Sequence, residues 1–176
     1  MKVPAVKHKK MNSFILFLVQ LSFRLLPDTK CFRYKRIALR IAGAKLGKNV
    51  RICSSVRIIG NSVLTIGDNT WVGHGTWIFC SAPILIGENV NIAPLCYIGT
   101  GTHHIDTEGP SIAGDGVSKS INICDGAWIC ARAVILPGVN VGPKAILAAG
   151  GVALNDLNKE TVYGGVPARL IKTIYE

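Results

Sequence analysis

The side chains best suited to chemistry lie together in one stretch of the chain, residues 99–122. It contains the run T-G-T-H-H-I-D-T-E-G-P-S, which brings His103 and His104 close to the acids Asp106 and Glu108. A neutral imidazole near pH 7 is suited to take a proton from a substrate, provided that a carboxylate or a backbone carbonyl orients it. A histidine that is simply solvated on a loop is the alternative, and spacing alone leaves both interpretations open.

Other residues with reactive side chains are scattered along the chain. His8 lies in a basic N-terminal run, and His74 is expected at a corner of the repeat described below. The six cysteines contain no C-x-x-C pair, and several occupy positions where small residues are usual. We interpret them as small apolar fillers of a cytoplasmic protein, and we expect no metal site.

The elements that position these residues are predicted by a six-residue repeat. From Leu46 nearly to the C-terminus an aliphatic residue recurs every six positions, with wider gaps after Ile58, Ile78 and Ile98. Such a repeat predicts very short strands separated by tight corners, with each aliphatic stacked on its counterpart one coil later. Successive coils then pair as in a parallel sheet. Because this stack has no need for residues 99–122, that insertion is expected to be functional.

The chain divides into three predicted parts. Residues 1–45 form a basic arm and helices, residues 46–160 form the repeat with its long loop 99–122, and residues 161–176 form a C-terminal extension. Within the first part, residues 1–12 resemble a disordered arm. Helices are predicted over residues 13–26 and over residues 32–41, and they would cap one open end of the stack.

The positive charge is concentrated before the repeat. The chain has a net charge of +10, but residues 1–57 carry +13 and the remainder carries −3. A segment of this kind favours anionic partners such as lipid headgroups, although a solvated tail is the alternative. The apolar run 14–26 is too short to span a bilayer, so residues 1–30 are expected either to contact an anionic membrane or to pack on the repeat. No nucleic-acid motif is present, and no nucleic-acid partner is expected.

Five motifs carry a resemblance to a known family. They are I-G-D-N-T-W-V-G-H-G-T-W-I at 66–78, I-G-T-G-T-H-H-I-D at 98–106, I-C-D-G-A-W-I at 123–129, G-A-K-L-G at 43–47 and Y-G-G-V-P-A-R-L-I-K at 163–172. Through them residues 35–173 resemble the hexapeptide-repeat acyltransferases, in particular the colanic-acid-type and maltose-type sugar O-acetyltransferases. The resemblance implies an all-β repeat fold, a left-handed parallel β-helix.

The resemblance also implies an activity and a site. The activity is acetyl-CoA-dependent O-acetylation of a sugar hydroxyl in surface polysaccharide or glycolipid biosynthesis. The enzyme would be a cytoplasmic homotrimer acting on a saccharide or lipid-linked saccharide, with the inner face of the membrane as a further expected location. His103 aligns with the family's catalytic histidine and is identified as the general base. We expect His104, Asp106 and His74 to bind the acceptor, with a structural role as the alternative for His74. The residues that the resemblance assigns to acetyl-CoA are Trp128, Ala131, Ala149, Gly150, Pro167, Arg169 and Lys172, with Lys144 as another candidate for its phosphates.

Other interpretations of these residues and of the whole protein remain open. Ala149 and Gly150 also suit ordinary tight corners, and Trp128 also suits subunit packing. A non-catalytic repeat scaffold would use the same fold without the histidine loop. A zinc carbonic anhydrase would need three converging histidines, whereas this chain has four histidines of which two are neighbours.

Overall fold

The computed structural model describes residues 10–175. Helix α1 spans Ser13–Phe23 and helix α2 spans Phe32–Ile41, and nineteen short strands follow. The strands are β1 (Lys45–Leu46), β2 (Arg51–Ile52), β3 (Arg57–Ile59), β4 (Leu64–Ile66), β5 (Trp71–Val72), β6 (Trp77–Phe79), β7 (Ile84–Ile86), β8 (Asn91–Ile92), β9 (Tyr97–Gly99), β10 (Gly101–Ile105), β11 (Ala113–Ser118), β12 (Ile121–Ile123), β13 (Trp128–Ile129), β14 (Val134–Ile135), β15 (Asn140–Val141), β16 (Ile146–Leu147), β17 (Val152–Ala153), β18 (Thr161–Gly164) and β19 (Arg169–Thr173).

Each coil of the repeat contributes one strand to each of three sheets. Sheet 1 has the order β1-β4-β7-β12-β15, sheet 2 has β2-β5-β8-β13-β16-β18-β19, and sheet 3 has β3-β6-β9-β14-β17. Strands of successive coils pair in parallel, so that Leu46 stands in register with Ile66, and Ile66 with Ile86. The six-residue aliphatics all point inward and are buried. The fold is the stacked parallel β-helix that the six-residue repeat predicts, and it matches the left-handed β-helix that the family resemblance implies.

Three corners join the sheets, and most of the candidate site residues lie at or beside them. Corner 1 leads from sheet 1 to sheet 2, corner 2 from sheet 2 to sheet 3, and corner 3 from sheet 3 to the next coil of sheet 1. In corner 1 the backbone of Asn49, Asn69 and Asn89 has positive φ angles of 53° to 59°. Asparagine tolerates this left-handed conformation better than most residues, which explains its recurrence every twenty positions.

The two predicted N-terminal helices are present and lie against the first coils. Helix α2 has the predicted bounds, whereas α1 ends at Phe23 rather than near Pro27. Residues 10–12 are ordered, because Met11 is buried and Asn12 caps α1 through its side chain, so the disordered arm predicted over 1–12 is wrong for them. The rest of that arm, with His8, lies outside the described residues.

The insertion between coils three and four is a two-stranded hairpin rather than an irregular loop. Strand β10 pairs antiparallel with β11, and Gly101 stands opposite Ser118 at the base of the hairpin. All five side chains of β10 are exposed. The hairpin therefore projects from corner 3 into solvent, away from the packed column of aliphatics.

Candidate active site

The base of the hairpin is fixed by one buried threonine. Thr100 is fully buried, and its hydroxyl donates to the carbonyl of Phe79 at 2.9 Å. The same oxygen accepts hydrogen bonds from the backbone N–H groups of Ser81 at 2.9 Å and Ala82 at 3.0 Å. A hydroxyl with three partners holds both the hairpin and the preceding coil in one arrangement.

His103 is oriented by the opposite strand of the hairpin. Its Nδ1 lies 2.8 Å from the carbonyl oxygen of Gly114. Because a carbonyl only accepts hydrogen bonds, Nδ1 must carry the proton, and in the neutral ring Nε2 then presents a free lone pair. The arrangement gives His103 the tautomer that a general base requires, with Nε2 as the accepting atom.

Asp106, the first acid after His103, serves the turn of the hairpin instead of the imidazole. One carboxylate oxygen of Asp106 accepts hydrogen bonds from the backbone N–H groups of Glu108 at 3.0 Å and Gly109 at 2.9 Å. These two bonds, of which that from Gly109 has the larger effect, lower the pKa of Asp106 below its ordinary value. Asp106 and His104 also line an open cleft of about 490 Å³ at the hairpin tip.

His74 is separate from the hairpin, at corner 2 of the second coil. Its Nδ1 lies 2.8 Å from Asp28 and 3.0 Å from the hydroxyl of Ser55. Asp28 belongs to the turn between α1 and α2, so His74 helps to fasten the helices to the β-helix. Within one chain, His74 does not join His103 and His104.

Corner 2 also carries three of the predicted cofactor residues. Gly150 has φ +69°, and its N–H donates to the carbonyl of Ala131 at 2.9 Å, one coil earlier. The backbone N–H groups of Ala131 and Ala149 have no acceptor in the described part of the chain. The space beside the Cα of Gly150 is open to 4 Å. This stretch of corner 2 therefore offers two free backbone donors beside open space.

The remaining cofactor candidates are divided between two places. Arg169 is exposed and stands opposite Gly164 in the β18–β19 pair, with Pro167 in the connecting turn, beside corner 2. Trp128 is in register with Ile146, which is in register with Val162, and Val162 pairs with Lys172. These residues therefore share one row of sheet 2. Lys144, by contrast, lies at corner 1 against Gly126.

The packing role predicted for the cysteines is confirmed for Cys53, Cys80 and Cys96, which are buried. Cys124 and Cys130 are half-buried, and the prediction is wrong for Cys31, which is exposed before α2. Burial raises the pKa of both the Cys80 and the Cys96 thiol to about 11, so neither forms a reactive thiolate near neutral pH. Among residues 10–175 no group of three or more histidine, cysteine or acidic side chains is placed to hold a metal ion.

Known proteins share this fold and much of this sequence. No family model matches the chain. WcaF of Escherichia coli K12, a predicted colanic acid biosynthesis acetyltransferase, is 31% identical over 141 residues, which cover 80% of this chain and 75% of WcaF. The chain belongs to this family of acetyltransferases. The galactoside O-acetyltransferase of E. coli K12 is 31% identical over 134 residues, covering 74% of this chain and 64% of the enzyme. The chain spans 58% to 75% of the length of these and a further curated relative.

A solved member of the acetyltransferase family confirms the architecture. The hexapeptide-repeat acetyltransferase VCA0836 of Vibrio cholerae, in complex with acetyl-CoA, superposes with a TM-score of 0.74 at 25% identity. The match covers 93% of this chain and 87% of that protein. The family resemblance in the sequence is therefore confirmed along most of the chain.

The group that orients His103 could not be predicted as a specific residue. The sequence offers Asp106, Glu108 or a backbone carbonyl as the orienting partner of His103. The carbonyl of Gly114 takes that position only because of the hairpin register, in which His103 stands opposite Gly116. No pattern in the run from 99 to 122 indicates that register.

Proposed function

We propose that the protein is an acetyl-CoA-dependent O-acetyltransferase that acetylates a sugar hydroxyl, with His103 as the general base. The observation that carries the proposal is the 2.8 Å contact between His103 Nδ1 and the Gly114 carbonyl, which in the neutral ring leaves the free lone pair on Nε2. The family supports the acyl donor. The sugar acceptor is supported by the galactoside O-acetyltransferase and by WcaF, whose name connects it with a polysaccharide.

The proposed reaction needs one proton acceptor and one leaving group. Acetyl-CoA supplies the thioester. Nε2 of His103 accepts the proton of the sugar hydroxyl while the hydroxyl oxygen attacks the thioester carbon. The C–S bond then breaks, and the proton on Nε2 passes to the departing sulfur. The Gly114 carbonyl, which keeps its hydrogen bond to Nδ1, stabilises the imidazolium that forms in between.

We infer that corner 2 forms the groove that holds the extended pantetheine arm. The amides of the arm need hydrogen-bonding partners, and the free N–H groups of Ala131 and Ala149 are suitable donors. Arg169, exposed beside the same corner, suits a phosphate. Trp128 and Lys172 extend the groove onto sheet 2, whereas Lys144 lies on a different corner.

A single chain keeps the two halves of this site apart, which supports a homotrimer. The His103 hairpin leaves corner 3, but the donor groups occupy corner 2, one full side of the coil away. An acetyl group bound at corner 2 of one subunit can meet the hairpin of another. His74, which shares corner 2 with Ala131, would then approach the acceptor from the second subunit.

The test compares two adjacent histidines. His103→Gln keeps a side chain of similar size but cannot accept the proton, so we expect kcat to fall by about 10²–10⁴ with little change in KM for acetyl-CoA. His104→Gln is the matched control and should retain most of kcat. Free thiol released from acetyl-CoA is measured against a panel of galactosides and other simple sugars. Equal turnover of wild type and His103→Gln would overturn the role of His103.

A further inference from the structure

Helix α1 is apolar on both sides, and only one side is packed. Leu16 and Phe23 are buried in the core. The opposite side presents large apolar residues at spacings of three, four and seven, which form a continuous stripe along one helix face. On the helix itself the exposed fractions range from 47% to 70%, at Phe14, Phe17, Leu18 and Leu21, and Leu25 in the turn directly after α1 extends the stripe with 87% exposed. An apolar stripe of this extent commonly marks an interaction surface.

The length of α1 determines how it can meet a membrane. Its 11 residues extend about 16 Å, roughly half of a bilayer's hydrocarbon core. No helix within the described residues is long and apolar enough to cross a membrane. Because its inner side is packed on the β-helix, α1 can meet a membrane only with its long outer side. An interfacial helix lies in the same way, with its axis in the plane of the membrane surface.

A cleft beside the stripe adds positive charge to the same surface. It lies between α1 and the first coil, has a volume of about 480 Å³, and is lined by Phe17, Leu21 and Ile59 together with Arg24 and Arg57. The guanidinium of Arg57 lies 5.5 Å from the Trp77 ring. Neither arginine has a carboxylate partner among residues 10–175.

The charge distribution favours a lipid over a second copy of the chain. Arg24 and Arg57 both lie on this face, so two copies meeting through it would bring like charges together. An anionic bilayer offers the opposite charge, and its phosphates are the groups that paired guanidiniums bind best. The apolar stripe suits the acyl chains of such a bilayer, and the cationic cleft suits its headgroups.

We propose that the outer face of α1 and the Arg24–Arg57 cleft form a docking surface for an anionic phospholipid bilayer. Phe14, Leu18 and their neighbours enter the boundary between headgroups and acyl chains, and a headgroup phosphate occupies the cleft. This surface would hold the protein at the membrane, and it takes no part in the acetyl-transfer reaction.

Vesicle flotation of the full chain tests the apolar stripe. Vesicles of phosphatidylglycerol and phosphatidylcholine in equal parts should bind the wild type, and vesicles of phosphatidylcholine alone should bind it much more weakly. The double variant Phe14→Gln, Leu18→Gln should weaken binding to the anionic vesicles by about tenfold or more. Leu154→Gln, which changes an equally exposed leucine far along the chain, is the matched control and should bind like the wild type.

A second pair of variants tests the cleft. Arg24→Gln should weaken binding to the same vesicles about fivefold, the usual effect of one basic residue near an anionic surface. Lys159→Gln removes the same charge from the distant end and should change binding less than twofold. Leu25→Gln, at the most exposed position of the stripe, replaces the double variant if circular dichroism shows that it misfolds.

Three results would overturn the proposal. The first is equal flotation of the wild type and the stripe variants. The second is equal binding to anionic and neutral vesicles. The third is a stripe variant that changes the mass in sedimentation but not the flotation, because it would assign the stripe to contacts between copies.

Discussion

At the scale of single residues, Asp28 fastens the turn between the two helices to the first coils. Its carboxylate accepts a hydrogen bond from the backbone N–H of Ser55 at 2.8 Å and contacts His74 at 2.8 Å. Its carbonyl accepts from Lys35, whose ammonium group lies 2.7 Å away. Burial acts to raise the pKa of the Asp28 carboxyl, but the hydrogen bonds from His74 and Ser55 outweigh it and hold the pKa below its ordinary value.

Replacing Asp28 should therefore cost stability at neutral pH but not in acid. A lowered pKa stabilises the fold above the unfolded-state value near 4, and this contribution is lost as the pH falls below it. We expect Asp28→Ala to reduce the free energy of unfolding by about 1–2 kcal/mol at pH 7, with the difference shrinking below about pH 4. Urea unfolding at several pH values measures this. Asp115→Ala, at an exposed acid of the hairpin, is the control, and a pH-independent loss would contradict the assignment.

The sequence offers candidate residues for the site, but it does not predict the partners that those residues contact. His103 is identified by the motif around it, and the structure gives it a suitable tautomer. His74 belongs to the same set of candidates, yet it contacts a residue 46 positions away, in the turn before α2. Contacts of this kind depend on how the helices pack on the first coils, which no local spacing encodes.

At the scale of elements, the hairpin depends on the threonine at its base. Thr100→Val keeps the shape of the side chain but removes the oxygen that bonds Phe79, Ser81 and Ala82. Because two backbone N–H groups lose their acceptor, we expect the free energy of unfolding to fall by about 1–3 kcal/mol. Thr102→Val, on the exposed strand β10, is the matched control and should change it by less than about 0.5 kcal/mol. Thermal and urea unfolding measure both, and equal effects would contradict the anchoring role.

The elements that follow a period are predictable, and those that do not are missed. The six-residue aliphatics predict the strands because each coil packs only on its neighbours. Strands β10 and β11 lack such a pattern because their side chains are mostly exposed, so only their length marks them. Helix α1 ends early because Arg24, Leu25 and Leu26 turn back to the third residue before them, in hydrogen bonds of 3.0–3.2 Å.

At the scale of the whole molecule, the exposed hairpin is the element whose role would depend on other subunits in the proposed homotrimer. Ile105 and Ile112 lie near its tip with exposed fractions of 80% and 67%, although both are large and apolar. In a lone chain this exposure is unfavourable. In the proposed homotrimer, the hairpin would reach the corner 2 groove of the next subunit and bury these side chains.

The double variant Ile105→Ser, Ile112→Ser should therefore weaken the trimer and the reaction together. We expect the mass in sedimentation to shift toward that of the monomer and kcat to fall, because His103 would no longer be held against the donor groove of its neighbour. Helix α1 provides the contrast, since Phe14→Gln with Leu18→Gln should leave both the mass and kcat unchanged. A hairpin variant that stays trimeric with full kcat would show that the site is complete within one chain. The free donors at Ala131 and Ala149, one side of the coil away from His103, argue against that outcome.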